Sequence, residues 1–456
     1  MESQLKLNQE VLITIKSIGI DGEGVGFYKR QAVFVKGAVP PEEVVIKITK
    51  LNKGHAIGEI VRIKKKSYYR RPPLSKKLEN TSGFELQHVL YEEQQRLKEG
   101  LLKQSFERFT DIDLTSIKIH HFNPIVKPLY YQKQTNQYVL NTKKDGLMSA
   151  LLSIDGKSLN EVSDNPLYDK DLNALNKEIL SICDDHEIYA FDDKTKRGLL
   201  RRLVSRKSHF NGEIQVTLVV TIFNKVLKDA AKAMLDLPGV SSVAISKNHD
   251  AKNKNTFGDT YEILEGKGLI TEKLGDITYQ LTPVDRFPVN PSEAENMYEY
   301  ISTLLKDRPN ESMVNFYAKS GTLGLYQANT FKQVTLVESD KTLLNSAEYS
   351  SKENNFNHLK FINDLSPKAL QSFNAKNIRF DVGILSPSKQ GLNQAMIKHL
   401  KQSQIKMLIY VSKNPSTLAK DINHLTAKYD LKSVMPFDMY PQSSRIDAVS
   451  VLKIKR

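Results

Sequence analysis

The densest run of side chains with chemical potential lies between Arg62 and Lys77. Arg62, Lys64, Lys65, Lys66, Arg70, Arg71, Lys76 and Lys77 carry eight positive charges around the rings of Tyr68 and Tyr69. Cations neutralise phosphates and rings stack on unpaired bases, so this mixture fits contact with single-stranded RNA. It equally describes a basic linker without a ligand. A second candidate is Lys413, in Tyr410-Val-Ser-Lys-Asn-Pro415, just past the apolar run from Ile405 to Val411 that reads as a buried strand. Lysine has an ordinary pKa of about 10.4, so it offers a cation rather than a free lone pair unless deeply desolvated. The one cysteine, Cys183, is framed by Ile179, Leu180 and Ile182. That setting favours a small buried hydrophobe over a reactive thiol. A single thiol also excludes an intramolecular disulfide and a thiolate-held metal cluster.

Charge points the same way as the basic run. Against 66 Lys and Arg stand 52 Asp and Glu, a net charge of +14 with a pI near 9.3. The excess implies a polyanionic partner, nucleic acid or an anionic surface, with a solvated lysine-rich surface as the alternative. No apolar run approaches the ~18 residues of a membrane span, and the first ten residues lack the form of a signal peptide. No membrane partner and a cytoplasmic location are therefore expected.

The elements that must position these groups fall into three expected units. Residues 6 to 65 alternate in short runs, Val11–Ile15, Ala32–Val35, Glu43–Ile48 and Ile57–Ile63, as in an all-β barrel. Gly22, Gly24 and Gly26 punctuate the first hairpin, and with no helix following they read as turn chemistry rather than a phosphate loop. Leu86 to Phe109 reads as one helix with Leu97, Leu101, Leu102 and Phe106 on a single face. From 115 to 270, strand-like runs (117–119, 215–220) alternate with helical ones (172–182, 226–235), an α+β pattern. Beyond about 290, helix 292–306, strands 312–317, 333–337 and 380–385, helix 393–402 and strand 405–411 imply a parallel sheet covered on both faces. Asp447–Ile454 reads as an antiparallel edge strand. The boundaries expected are 1–66, 67–285 and 286–456.

Gly22-Glu-Gly-Val-Gly26, Val33-Phe-Val35, Gly37-Ala-Val-Pro40 and Lys47-Ile-Thr-Lys50 make the first unit resemble a TRAM domain, a small RNA-binding barrel of the oligonucleotide-binding type. Further blocks follow in a fixed order: Leu86-Gln-His88 with Tyr91-Glu92, Gly198-Leu-Leu-Arg201 with Arg206, Phe287 with Val289-Asn-Pro291, Gly321-Thr-Leu-Gly324, Gly391-Leu392, Asn414-Pro415-Ser-Thr-Leu-Ala419 and Asp438-Met-Tyr-Pro-Gln442. Together they resemble the RNA uracil-C5 methyltransferases over nearly the whole chain. The resemblance implies a TRAM barrel, an α+β central domain and a C-terminal Rossmann-like (class I) α/β methyltransferase domain. It also implies S-adenosylmethionine as cofactor and structured RNA, ribosomal or transfer RNA, as partner.

The residues at the family's reactive positions differ from the family pattern. In that family a cysteine thiolate adds to C6 of uracil, C5 takes the methyl group, and a base removes the C5 proton. Lys413 stands at the nucleophile position and Asp447, in Arg445-Ile-Asp447, at the base position, one methylene short of the family's glutamate. A misplacement of about 1 Å can cost on the order of a hundredfold in rate. The cofactor positions fall on Pro288, Tyr317, Glu338 and Ser386. Pro288 replaces a glutamine and Ser386 an aspartate, while Asn315 and Lys319 stand for an acid and a glycine of the same loop. The family's iron-sulfur ligands fall on Thr81 and Phe84 and near Ser75 and Asn165, none a thiolate. The reading this favours is an RNA-binding protein in which methyl transfer has been lost. An active methyltransferase with altered chemistry and a protein-binding scaffold are the alternatives.

Overall fold

The computed structural model describes residues 5–125, 127–142, 146–249, 255–306 and 311–455. The first strands, β1 (Glu10–Ile18), β2 (Gly24–Tyr28), β3 (Gln31–Val35), β4 (Glu43–Asn52) and β5 (His55–Lys65), close into a barrel in the order β1-β2-β3-β5-β4. Alternate residues such as Ile13, Ile15, Val33, Val35, Ile46 and Ile48 fill its interior, as a period of two requires. Only Gly22 of the three glycines serves a turn, with φ +84°. Gly24 and Gly26 lie within β2, where a Cβ would meet Ala38 O at 2.8 Å and Thr14 O at 2.7 Å. Close approach of backbone is thus their reason.

The next helix, α1 (Tyr91–Phe109), starts later than its apolar spacing implies, because residues 86–90 turn to hydrogen-bond elsewhere. It buries Leu97, Leu101, Leu102 and Phe106 as expected. The strand expected near 117–119 is β6 (Lys118–Ile119), yet it belongs to the C-terminal sheet, parallel to Ser433 and Val434.

The central region holds β7 (Gln137–Asn141), β8 (Leu147–Leu152), β9 (Leu159–Glu161), α2 (Lys170–Asp185), β10 (Leu200–Lys207), β11 (Ile214–Val220), α3 (Val226–Leu235), β12 (Val240–Lys247) and β13 (Thr260–Gly266). They form a seven-stranded sheet, β13-β12-β11-β10-β7-β8-β9, with α2 and α3 on the core face. Cys183 is fully buried there, and burial pushes its thiol up to about 12.

A hairpin of β14 (Ile270–Leu274) and β15 (Ile277–Leu281) packs into the C-terminal core. After α4 (Pro291–Leu305) come β16 (Ser312–Phe316), α5 (Thr322–Tyr326), β17 (Gln333–Glu338), α6 (Lys341–Glu353), β18 (Leu359–Asn363), α7 (Ser366–Ala375), β19 (Val382–Leu385), α8 (Gln394–Gln402), β20 (Met407–Ser412), α9 (Pro415–Leu425), β21 (Tyr429–Phe437) and β22 (Asp447–Ile454). The sheet order is β18-β17-β16-β19-β20-β22-β21-β6, parallel from β18 to β20. Helices α4 to α6 cover one face, and α1 with α7 to α9 the other. Far from being an edge, β22 is paired on both sides, antiparallel to β20 and β21. Its run Ala448-Val-Ser-Val-Leu452 is buried throughout, the pattern of an interior strand. Among the described residues no helix is long and apolar enough to cross a membrane.

Candidate functional site

Strand order reverses at β16, whose parallel neighbours are β17 on one side and β19 on the other. In open α/β sheets a ligand binds outside the carboxyl ends of the strands at such a switch point. The sequence-derived positions gather there: Tyr317 follows β16, Glu338 ends β17, Ser386 follows β19, and Lys413 follows β20. Asp447 opens β22 and faces the Lys413 end of β20, since Ser412 pairs with Ala448.

The loop after β16 is tightly wound. Tyr317, Lys319 and Gly321 all have positive φ, at +58°, +55° and +75°. Glycine takes that conformation freely and other residues at a cost, so Lys319 sits where the backbone prefers glycine. Its N–H donates to Glu338 Oε2 at 2.8 Å. Oε1 of Glu338 accepts from Ser339 N, Asp340 N and Ser339 Oγ. The carboxylate expected to face a ribose therefore caps the local backbone. The Tyr317 ring packs on the helix side, near Tyr410 and Asp421, and burial pushes its hydroxyl up to about 12.

Ser320 Oγ donates to Asp285 Oδ1 at 2.6 Å, which brings the Thr282–Pro288 turn alongside the Lys319 loop. Arg206, on β10 of the central sheet, holds that turn by donating to the carbonyls of Thr282 and Asp285. Arg286 is thereby aimed at the cleft, with Pro288 half-buried beside it.

Three cations, Lys413, Lys319 and Arg445, act on the Asp447 carboxylate, and Arg286 lies beside the two lysines. Lys319, Lys413 and Arg286 form no side-chain hydrogen bond or ion pair with any described residue. Arg445 stacks over Tyr440 at 5.2 Å and reaches Ser82 Oγ at 3.3 Å. Asp447 is 4% exposed and its Oδ1 has no hydrogen-bond partner. Burial raises its pKa, and Lys413, Lys319 and Arg445 oppose that. The two lysines differ. Burial, then Lys413 and Arg286, hold the Lys319 ammonium down to about 7. Beside it Tyr440, and then Asp447, raise Lys413 against the opposing effect of burial, and it stays charged at neutral pH. Burial lowers both ammonium groups, but at Lys413 the effect of Tyr440 and Asp447 outweighs it, and at Lys319 burial prevails.

The loop preceding Arg445 is fixed by α1. Lys98, fully buried, donates to Asp438 Oδ1 at 2.7 Å, and Tyr91 Oη donates to Oδ2 at 3.0 Å. Gln442 exchanges two hydrogen bonds with Gln94 and accepts one from Arg71 at 2.8 Å.

The basic run divides. Arg62, Lys64, Lys65 and Lys66 are exposed, and Tyr68 is 88% exposed. These can reach a nucleic acid. Tyr69 is half-buried against an apolar cluster. Arg70 is committed to the buried Glu42, at 2.6 and 2.7 Å, and to Gly37 O, while Arg71 bonds Gln87 O and Gln442. Those two arginines, expected at the RNA face, are structural because distant acceptors satisfy them.

At the positions of the family's iron-sulfur ligands the chain builds an apolar cluster. Phe84 packs with Leu78, Tyr131, Val162 and Leu167. Thr81 Oγ1 accepts from Asn160, and Asn165 Oδ1 from Leu167 N. Arg286 and Arg445 are site residues that sequence reasoning did not select. Arg286 carried one signal, its place directly before Phe287 and Val289-Asn-Pro291.

Comparisons with known proteins agree with this geometry. Residues 270–455 match the tRNA (Uracil-5-)-methyltransferase family, and residues 4–61 the TRAM domain. An uncharacterized RNA methyltransferase of Lactobacillus johnsonii is 30% identical over 99% of this chain and 98% of its own. One from Bacillus anthracis is 29% identical over 100% and 99%. The crystal structure of Pyrococcus abyssi tRNA (uracil-54, C5)-methyltransferase in complex with S-adenosyl-L-homocysteine superposes with a TM-score of 0.75 at 22% identity, covering 97% of this chain and 100% of that one. The fold is thus a TRAM barrel followed by a methyltransferase fold.

Proposed function

Since the chain belongs to the tRNA (uracil-5-)-methyltransferase family and carries a TRAM domain, we propose that it binds structured RNA, ribosomal or transfer RNA, in the cytoplasm without methylating uracil C5. The observation that carries this reading is Lys413. A charged ammonium at the end of β20 has no lone pair to add to C6, and it lacks the leaving ability of a thiolate. Asp447 lies deep among cations, with one oxygen unpartnered. The residues at the cofactor positions suit S-adenosylmethionine poorly. Lys319, Lys413 and Arg286 would meet a positive sulfonium, Glu338 is occupied by four donors, and Pro288 has no side-chain hydrogen bond to give. The exposed Arg62, Lys64, Lys65, Lys66 and Tyr68 support the RNA contact.

Two titrations test the reading. RNA binding should weaken steeply with salt, and replacing Lys64, Lys65 and Lys66 by Gln should lower the log–log salt slope by roughly 0.7–0.9 for each phosphate no longer neutralised. S-adenosylmethionine should show no saturable binding up to about a hundred times the micromolar range common for enzyme ligands. Micromolar binding of that cofactor together with label transfer to RNA would overturn the proposal.

A further inference from the structure

Under α2 of the central unit, away from the strand-end cleft, lies a cavity of about 330 Å³. Strand residues alternate between faces. Tyr138 therefore lies on the face that meets Tyr440 and Arg445, while Gln137 and Val139 lie on the face toward α2. The stripe of α2 turned to these strands carries Asn173, Asn176, Lys177, Leu180, Ser181 and Asp184, spaced mostly at three and four residues. A helix face against a sheet is ordinarily apolar, and this polar one encloses space instead of packing shut. Leu147 and Val162 form part of the opposite wall. The volume falls at the small end of ligand pockets, about 300 to 1,000 Å³.

Several polar groups of the lining are already committed. Asn176 donates to Thr135 Oγ1 and accepts from Ser205 Oγ. Asn173 donates to the carbonyls of Asn165 and Tyr168, and Asn165 Oδ1 accepts from Leu167 N. Gln137 differs. It is 3% exposed and its Nε2 has no hydrogen-bond partner. A buried donor left unmade costs free energy, so it calls for an acceptor. Toward the other end of α2, Asp184 gives one carboxylate oxygen to Leu147 N at 2.9 Å. A carboxylate offers about four acceptor positions, so most of its capacity is left over. Asp184 and Asp185 also end α2, where the helix dipole favours a cation, yet the last turn has no basic residue. Neither acid has an ion pair among the described residues.

We propose that this cavity binds a short aliphatic amine that carries an uncharged acceptor, an amino alcohol or an amino amide. Its ammonium sits on Asp184, its hydroxyl or carbonyl oxygen on Gln137 Nε2, and its methylenes against Leu147, Val162 and Leu180. The lining favours a cation over an anion, because Asp164 joins Asp184 there against Lys177 alone, which is exposed at the mouth. The site lies across the central sheet from Tyr138, so it stands whether or not the RNA reading holds.

The test uses the full-length protein and calorimetry with a series of linear amino alcohols of two to six carbons, the matching diols and the matching hydroxy acids. One amino alcohol should bind at about 1 mM or tighter, and its diol and hydroxy acid at least about tenfold more weakly. That amine should also raise the unfolding midpoint, as any ligand of the folded state does. Asp184→Asn keeps an oxygen for Leu147 N and should weaken amine binding about tenfold. Gln137→Met keeps the length of the side chain and removes the unmade donor. It should weaken binding similarly without lowering the unfolding midpoint of the free protein, a combination that a purely structural glutamine does not give. Lys177→Gln should leave amine binding unchanged or tighter. No saturable binding across the series, equal binding of amine and diol, or tighter binding of the hydroxy acid with loss in Lys177→Gln overturns the proposal. Because RNA and S-adenosylmethionine are absent from these titrations, their outcome leaves the preceding reading where it stands.

Discussion

The 438–442 loop and the cleft just beyond it both place charge out of bulk water, and they treat it in opposite ways. In the loop, Asp438 receives Lys98 and Tyr91, and Gln442 is bonded on all sides by Arg71, Gln94 and Leu86 N. In the cleft, Lys319, Lys413 and Arg286 have no side-chain hydrogen bond or ion pair among the described residues, and Asp447 Oδ1 accepts nothing. A buried polar group left unmade costs free energy, so a protein keeps one only where something else is gained. The difference separates scaffold from site: satisfied charge fixes geometry, and unsatisfied charge is available to a ligand.

The sharpest way to break this contrast is to remove one member of each set. Lys98→Met leaves Asp438 buried with only Tyr91 as donor, and loss of one partner of a buried pair costs about 3–5 kcal/mol. Lys413→Met removes a cation with no hydrogen-bond or ion-pair partner among the described residues and only part of the charge that offsets Asp447, and should cost no more than about 1 kcal/mol. Urea unfolding of the two variants reads the difference directly. Equal losses would show that Lys413 is structural, and the distinction between the regions would fall.

A smaller effect follows from the latch residue Gln442. Gln442→Ala orphans the buried Gln94 amide and one Arg71 donor, at about 1–3 kcal/mol each before water enters. The net loss should be about 2 kcal/mol by the same principle, measured by denaturant midpoint. An unchanged midpoint would show that water replaces the lost partners of Gln94 and Arg71.

The same contrast explains what the sequence disclosed. Patterns whose cause is local were legible. Alternation marked the barrel strands, apolar spacing marked the buried face of α1, and the framing of Cys183 marked a core thiol. Groups whose partners are remote in sequence were not. Arg70 and Arg71 look like their exposed neighbours in the basic run, but their acceptors are Glu42 and Gln442, 28 and 371 residues away. Two-residue β6 has too little pattern to reveal that it crosses to β21. At the site, family blocks located Lys413, Asp447, Glu338 and Ser386 on strand ends. Glu338's role as a backbone cap depends on the turn after β17, and the cation set depends on Arg206 pulling the 282–285 turn inward. Neither relation has a spacing to read.

The smallest effect, and the finest probe of the comparison, is Lys319→Gly. The native backbone at this position has φ +55°, so glycine relieves left-handed strain of about 1 kcal/mol, partly offset by the entropy glycine gains when unfolded. The pH dependence adds a signature that strain alone lacks. Lys319 titrates near 7 in the folded protein and at its ordinary, higher value when unfolded, so between those values the unfolded chain binds more protons. Stability of the wild type should therefore rise with pH from about 7 toward the ordinary lysine range of about 10.4, and Lys319→Gly should flatten that rise. The variant's advantage is then largest below pH 7, where the desolvated ammonium is fully present, and shrinks as pH rises. An advantage independent of pH would mean that Lys319 costs the fold only its backbone conformation, and that solvent in the cleft already screens its charge.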